Sequence, residues 1–353
     1  MDGENLLTFF SNSIYEKSHA SERCHFAHIP QRPGRRYALP YLFGIKPEWR
    51  GRYSKKWLLR KLKSFKPDAI YSLIHSESTL LFADWISKVL ELPHIIHIAD
   101  LPTTEFDKKI KEVIQSSYQL VTISESMSSF IKKETGKPSK VIYNGLKYHN
   151  KNQLWKAKNI QDDIVVRYVG TLLQEQQGES IEDIAEAILQ LNKEGIKIRM
   201  EIYGTETNPQ LSKRICDDHI IKHLGKFREE DYVNLLTNCS LLVIPFTFNE
   251  SRTGNYRYSF PAKLPDSLGS GVPVLIYGPP EMDAVKYCKN NRVGHTICER
   301  SISRIKKFLK ELIEDPMRFN KQAVLSQQHA QRTMSVQVNC RIFEKCILNI
   351  ITK

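Results

Sequence analysis

The sequence predicts an α/β protein built from two Rossmann-like domains, and three observations support this prediction. The length of 353 residues is long for one core and suits two domains of ordinary size. Apolar runs and amphipathic runs alternate from residue 67 to 145, and the alternation restarts at residue 164. Such alternation is typical of a parallel sheet covered by helices on both faces. The polar stretch 146–163 between the halves is the candidate linker.

In the first half, short apolar runs predict strands, and runs with helical periodicity predict helices. The predicted strands are 67–74, 94–100, 119–124 and 139–145, and the helices between them are 78–92, 105–117 and 125–136. Gly136 is expected to end the last of these helices, with Pro138 beyond it.

The second half repeats this pattern. The predicted strands are 164–170, 198–204, a short strand within 220–227, 240–246 and 271–278. A polar loop is expected over 171–179, and Ser180 is expected to cap a helix, with Asp183 as part of a capping box. The apolar face of that helix should consist of Ile181, Ile184, Ala185, Ile188 and Leu191. A helix is expected over 228–239, and the tail from residue 301 is predicted to be mostly helical.

We therefore expect a first domain over 1–150, a second over 151–335, and a C-terminal helix over 336–353 that packs back toward the first domain. Ligands of open parallel sheets bind beyond the carboxyl ends of the strands. The functional loops should then follow Asp100, Gly145, Gly170, Gly204 and Pro245, together with the segment 251–266.

The charge of the chain is basic and unevenly distributed. The formal net charge is +13, and residues 31–66 hold twelve Lys or Arg against one acid, Glu48. Two interpretations stay open: a solvated basic face, or contact with an anionic membrane surface, where each nearby cation contributes roughly 1 kcal/mol. No nucleic-acid-binding motif accompanies the charge, so nucleic acid is not an expected partner.

Composition also predicts the compartment. No apolar run approaches the roughly 20 residues that span a bilayer, and the start has no basic region or cleavage site of a signal peptide. The seven cysteines are scattered without a CxxC pair. We expect a cytoplasmic protein, peripheral on the inner membrane face if the basic segment binds lipid, with neither disulfides nor a metal site.

The stretch "SFPAKLPDSLGSGVPVL" (259–275) combines groups suited to a nucleotide-sugar. Pro261 should start a helix whose free N–H groups favour anions. Lys263 supplies a point charge for phosphate, and Asp266, one turn on, can accept hydrogen bonds from a diol. The alternative is an exposed i,i+3 ion pair worth a few tenths of a kcal/mol. Gly269 and Gly271 would let the chain turn back into a strand.

From about Pro67 onward, roughly four-fifths of the chain resembles family 4-type glycosyltransferases with the GT-B fold. The stretch 259–279 is similar to a subgroup motif, S-[FM]-P-x-K-[LI]-x-[ED]-x-L-x-S-G-x-P-V-L-x-Y-G-P. "VTISESM" (121–127) with "GKPSKVIYNG" (136–145) resembles the end of the family's first domain, and "VRYVGTL" (166–172) the opening of its second. The resemblance implies two Rossmann-like domains facing a cleft, with additional C-terminal helices.

The resemblance also implies roles for single residues. Asp266 would hold the donor ribose, and Lys263 with Arg257 would neutralise the donor diphosphate. Ser259 and Phe260 would meet the diphosphate and sugar. In the first domain, Asp100 would be the acidic residue that faces the cleft and acts in catalysis. The remaining donor-binding positions implied are Gly170 and Thr171 near the phosphates, and Tyr203, Gly204 and the loop after Pro245 beside the base and sugar.

The chain departs from the family pattern at several positions. Thr171 stands where relatives often have Arg, which would move phosphate neutralisation onto Lys263, Arg257 or Arg252. Ala99 stands where many relatives have a His that touches the transferred sugar. His97 would point to the opposite strand face from Asp100 in a regular strand. The start, "MDGENLLTFFSNSIYEK", has no Gly-rich loop, which implies either a shortened N-terminus or a trimmed first domain.

Two function classes follow. The first is a retaining, metal-independent glycosyltransferase, hexosyltransferase-like, that moves a sugar from a UDP-linked donor to an acceptor in surface polysaccharide or lipid-linked glycan synthesis, without a separate cofactor. The alternative is a catalytically weak or inactive GT-B module that binds a nucleotide-sugar or a partner glycosyltransferase. A sugar-nucleotide epimerase on the same fold would require an acid/base cluster that the first half lacks.

Overall fold

The computed structural model describes residues 7–10, 25–28, 59–60, 62–101, 105–146, 164–206, 209–217, 219–250 and 254–351. The chain divides into two compact units, residues 1–71 with 81–94 and residues 72–80 with 95–353. Most of the basic segment 31–66, most of the candidate linker and Arg252 lie outside the described residues. The predicted domain limits therefore stay predictions.

The described part of the first half contains two sheets. Strands β1 (Leu7–Phe10) and β2 (His25–His28) form a two-stranded parallel sheet. A four-stranded sheet has the order β3-β4-β5-β6. Its strands are β3 (Ile70–Ile74), β4 (His94–Ile98), β5 (Gln119–Thr122) and β6 (Lys140–Val141), and its helices are α1 (Glu77–Leu90), α2 (Lys108–Ser116) and α3 (Glu125–Thr135). Ser124 caps α3 by accepting from the Met127 amide at 3.3 Å, and Gly136 ends it with a φ of 75°.

The second half is built on a six-stranded parallel sheet. In chain order its strands are β7 (Ile164–Val169), β8 (Ile198–Tyr203), β9 (Ile221–Gly225), β10 (Leu241–Pro245), β11 (Val274–Tyr277) and β12 (His295–Ile297). Their spatial order is β12-β11-β10-β7-β8-β9. The order reverses between β7 and β10, and such a switch point is where ligands bind in doubly wound sheets.

Helices cover this sheet. They are α4 (Glu179–Lys193), α5 (Pro209–Ile215), α6 (Tyr232–Thr237), α7 (Lys263–Gly269), α8 (Asp283–Asn291), α9 (Ile302–Glu314), α10 (Pro316–Thr333) and α11 (Val336–Ile351). The predicted apolar face of α4 is confirmed, because all five of its residues are buried in the core of the sheet. Each fully buried Ile or Leu contributes roughly 1.5–3 kcal/mol. The C-terminal helix α11 packs Cys346 against Ile95, Val121 and Ile142.

Three local predictions are wrong. Ser180 does not cap α4, since the helix begins at Glu179 and the Ser180 hydroxyl instead donates to the Phe246 carbonyl at 2.5 Å. The expected loop before it contains a π-helix, Gln174–Gly178. Asp183 is not a capping-box residue, because it accepts hydrogen bonds from the Tyr277 hydroxyl and the Arg300 guanidinium. These polar side chains serve tertiary contacts that a local pattern does not reveal.

Candidate active site

Two glycine turns lie at the carboxyl ends of the neighbouring strands β7 and β8. Gly170 and Gly204 have φ angles of 148° and 138°, which side chains of L-residues rarely adopt. The Gly170 amide donates to the Tyr203 carbonyl at 2.8 Å. A Cβ on Gly204 would overlap the Gly170 carbonyl oxygen. The two turns therefore depend on glycine, and the turn after β7 lies at the switch point of the sheet.

Lys263 is the first residue of α7 and reaches this glycine turn. Its Nζ donates to the Tyr168 hydroxyl at 2.6 Å and lies 4.0 Å from the centroid of the same ring. A Cβ on Gly170 would come within 2.6 Å of Nζ. In the described part of the chain, the Tyr168 hydroxyl is the hydrogen-bond partner of this ammonium, and no carboxylate pairs with it. Burial lowers the pKa of Lys263 to about 7.

Tyr168 is fully buried in β7 and links Lys263 to the backbone of the turn. Its hydroxyl donates to the Thr171 carbonyl at 2.8 Å while accepting from Nζ. Burial raises the pKa of this phenol, so it stays a neutral donor. The Thr171 hydroxyl accepts from Thr205 at 3.3 Å across the two turns. Lys263, Tyr168 and the β7 turn thus form one connected group.

Asp266 does not pair with Lys263. The carboxylate is buried, with 3% of the residue exposed, and Oδ2 accepts from the Tyr232 hydroxyl at 3.1 Å. The alternative of an exposed i,i+3 ion pair is therefore wrong. The expectation that Pro261 starts the helix is also wrong, because α7 begins at Lys263 and has only two turns. Two turns carry a weaker dipole than a long helix, so the side chains carry most of the local charge.

The segment before α7 is held through its backbone carbonyl groups, which accept hydrogen bonds from side chains of the first half. The Ser124 hydroxyl donates to the Tyr258 carbonyl at 3.2 Å, and the Asn144 amide donates to the Phe260 carbonyl at 2.6 Å. The Phe260 side chain is buried against Tyr143, with ring centroids 4.8 Å apart. We call residues 256–262 the tethered loop.

Arg257 and Ser259 lie within the tethered loop. Ser259 is half-buried, and its amide donates to the Tyr256 carbonyl at 2.9 Å. Arg257 is exposed, and its guanidinium lies 4.9 Å from the centroid of the Tyr258 ring. No direct contact joins Arg257 to Lys263 in the described residues, so their shared role in phosphate neutralisation stays a prediction.

The remaining candidate positions, Tyr203 and Pro245, are the last residues of β8 and β10. Tyr203 is half-buried, and its ring lies 5.4 Å from the Arg167 guanidinium. Pro245 is buried at the end of β10. The loop after Pro245 is held by the Glu179 carboxylate. This group accepts hydrogen bonds from the Phe248 amide at 2.6 Å and from the Thr247 hydroxyl at 2.9 Å.

At the carboxyl end of the four-stranded sheet, Asp100 is paired with a residue that the sequence did not single out. Asp100 Oδ2 lies 2.7 Å from His75 Nδ1, and both side chains are more than half exposed. His97 lies within β4, where burial, followed by the nearby His75, lowers its pKa to about 4. His97 is therefore a neutral, mostly enclosed imidazole, and His75 is the exposed one.

Sequence reasoning missed His75, Tyr168 and Tyr232. His75 could have been found, because it directly follows the predicted strand 67–74, and Asp100 ends the next predicted strand. Tyr168 and Tyr232 had no comparable signal, since each resembles an ordinary core or helix residue until its hydroxyl contact is known. Within the described ranges, no three His, Cys, Asp or Glu side chains are grouped so as to hold a metal ion.

No family model and no curated protein matches this chain. Solved structures do resemble it. HepE of Anabaena in complex with UDP has a TM-score of 0.63 at 17% identity, over 92% of this chain and 91% of that chain. The lipopolysaccharide outer core galactosyltransferase WaaB gives 0.66 at 16% identity, over 97% and 89%. Sucrose-phosphate synthase of Thermosynechococcus elongatus gives 0.67 at 10% identity, over 99% and 89%. The predicted α/β fold of the GT-B type is thereby confirmed.

Proposed function

We propose that this chain is a retaining glycosyltransferase that moves a sugar from a UDP-linked donor to a hydroxyl of a glycan or lipid-linked acceptor, in surface polysaccharide or lipid-linked glycan synthesis. HepE, which shares the fold, has been crystallised with UDP and with UDP-glucose. The proposal extends to hexose transfer without a metal ion or a separate cofactor.

The observation that carries the proposal is the environment of Lys263. Its ammonium lies half-buried beside the β7 glycine turn, at the switch point of the sheet, and no carboxylate of the described residues neutralises it. Keeping a cation in such a place costs stability, which a bound diphosphate would offset. If Lys263 served only to stabilise the fold through an ion pair, we would expect a carboxylate next to its ammonium.

In the proposed reaction, the bond between the anomeric carbon of the sugar and the diphosphate oxygen breaks, and its electron pair leaves with the diphosphate. Lys263 and Arg257 stabilise the charge that grows there. The acceptor hydroxyl attacks from the same face, and its proton passes to the departing phosphate. Gly170 and Gly204 allow the backbone to approach the phosphates, and Asp266 holds the ribose.

Titration calorimetry with UDP and a UDP-release assay with UDP-glucose and other UDP-sugars test this proposal. Replacing Lys263 by Ala should lower turnover by about 100-fold or more, the usual cost of one transition-state donor, with little change in melting temperature. Lys321→Ala on the exposed side of α10 is the matched control and should behave as the wild type. Unchanged turnover in Lys263→Ala would refute the role.

The same assays separate the two function classes. UDP binding without turnover of any UDP-sugar would favour the alternative, a GT-B module that binds a nucleotide-sugar or assists a partner glycosyltransferase. Absence of UDP binding and of turnover by the wild-type chain would overturn the enzyme and the nucleotide-sugar-binding module, and would leave only the module that binds a partner glycosyltransferase.

We further propose that the basic segment 31–66 holds the protein on an anionic membrane surface, at the inner face of the membrane. Among the described residues, no helix is both long and apolar enough to cross a bilayer. Co-sedimentation with liposomes containing phosphatidylserine should be strong at low salt and fade as salt screens the charges. No co-sedimentation at low salt would remove this proposal.

A further inference from the structure

His75 and Asp100 form an exposed pair at the ends of adjacent strands. His75 directly follows β3, and Asp100 comes two residues after β4. A carboxylate only accepts hydrogen bonds, so the 2.7 Å contact fixes the proton on His75 Nδ1. In the described part of the chain, Nε2 makes no hydrogen bond. The pair thus presents one oriented ring nitrogen to solvent.

Structural stability does not account for this pair. Exposed ion pairs contribute roughly 0–1 kcal/mol, and here 56% of the His75 side chain and 62% of the Asp100 side chain are exposed. The enclosed imidazole of the same sheet end, His97, is held within β4. A histidine whose tautomer is set by a carboxylate is instead the usual arrangement for binding a hydroxyl or a proton.

The tethered loop is anchored at the same edge of the same sheet. The register of β4 and β5 pairs Ile98 with Thr122, so Asp100 and Ser124 both lie two residues beyond a paired position. Ser124 is the residue that holds the Tyr258 carbonyl. Neighbouring strands are about 4.8 Å apart, which puts the His75–Asp100 pair roughly one to two strand spacings along the edge from this anchor.

We propose that His75 binds the acceptor substrate through a hydrogen bond between Nε2 and an acceptor hydroxyl, and that Asp100 is the positioning residue that fixes the imidazole. This inference rests on the proposed function and assigns the acceptor side of it. The ligand class is a sugar or other polyol, because a hydroxyl can both donate to and accept from an imidazole nitrogen. The contact between His75 and Asp100 involves none of the residues around Lys263, where the donor is proposed to bind.

The experiment follows the Hε1 resonance of His75, identified by its loss in His75→Ala, while octyl β-glucoside and octyl β-galactoside are added to the full chain in the presence of UDP. In parallel, the glycoside-dependent release of UDP from UDP-glucose is measured. His75→Ala should lower the glycoside-dependent rate about tenfold, the value of one hydrogen bond to substrate. Its affinity for UDP should be unchanged.

Two further variants separate binding from structure. His75→Gln places an amide oxygen near the position of Nε2 and should recover part of the rate. Asp100→Asn should shift the ¹⁵N signals of the imidazole toward a mixture of tautomers and raise the KM for the glycoside more than it lowers kcat. His219→Ala, at another exposed histidine, is the control and should match the wild type.

Either of two results overturns the assignment: no shift of the His75 resonance with either glycoside, or full glycoside-dependent activity in His75→Ala. Calorimetry with UDP distinguishes a failure of the proposed function from a failure of this inference, because only in the first case would the wild-type chain not bind UDP.

Discussion

The affinity for a nucleotide-sugar should depend on pH through Lys263. Burial sets the pKa of the free protein's ammonium at about 7, so at pH 8 about nine-tenths of the protein holds a neutral amine. A bound diphosphate favours the charged form and raises that pKa. Binding above pH 7 therefore takes up a proton, and affinity falls as pH rises, while below pH 7 this residue imposes no dependence.

The magnitude follows from the linkage relation. Each pH unit above 7 costs up to about tenfold in affinity, or about 1.4 kcal/mol, until the pKa of the bound state is reached. From pH 7 to 9 the dissociation constant of UDP-glucose should rise by up to about 50-fold, because half of the free protein already holds a neutral amine at pH 7. This donor is suitable because its diphosphate carries two ester bonds and keeps a constant charge over that range.

Calorimetry at pH 6–9, in pairs of buffers with different ionisation enthalpies, measures both quantities. At pH 8 the wild type should take up about 0.9 proton per UDP-glucose bound. Lys263→Met keeps the length of the side chain without the charge and should bind more weakly at pH 7, with a flat profile. Lys321→Met should retain the wild-type profile. A wild-type affinity that is constant from pH 7 to 9, or an unchanged slope in Lys263→Met, would refute the reasoning.

Two predictions concern stability and are measured by urea unfolding. Gly204→Ala should lower the free energy of unfolding by more than about 2 kcal/mol, because the new Cβ overlaps the Gly170 carbonyl. Gly136→Ala, at a positive φ with nothing within 4 Å of the new atom, should cost only about 1 kcal/mol; equal losses would contradict the overlap. Tyr232→Phe should cost about 1–3 kcal/mol by removing a donor from the buried Asp266 carboxylate, and an unchanged midpoint would contradict that contact.

The sheets were largely predictable from the sequence, because their buried strands are continuous apolar runs with Gly or Pro at the ends. The strand His295–Ile297 and the helices Pro209–Ile215 and Asp283–Asn291 were not predicted. They are short and polar, and their burial against neighbouring elements, rather than their own periodicity, stabilises them. The local pattern also wrongly predicted Ser180 as a helix cap. Its hydroxyl instead donates a hydrogen bond to the carbonyl of Phe246, 66 residues away along the chain.

The candidate site was predictable in part. Gly170, Gly204 and Lys263 are brought together, because the ends of parallel strands meet at one edge of the sheet. The partners that set their chemistry were not predictable, since the contact of Lys263 with Tyr168 spans 95 residues and that of Asp100 with His75 spans 25. The roles assigned to Arg257, Ser259 and Asp266 in binding the donor remain predictions.

The tethered loop has a consequence for how donor preference can diverge. Ser124 and Asn144 hold it through the carbonyl oxygens of Tyr258 and Phe260, and every amino acid supplies such an oxygen. If the loop meets the donor sugar as proposed, substitutions of its exposed side chains, Tyr256 and Arg257, can therefore alter what it presents to the sugar without releasing it. The position of the loop depends instead on the side chains of Ser124 and Asn144, more than 100 residues earlier in the chain. A mutation of either residue would remove one of these hydrogen bonds without changing the sequence of the loop.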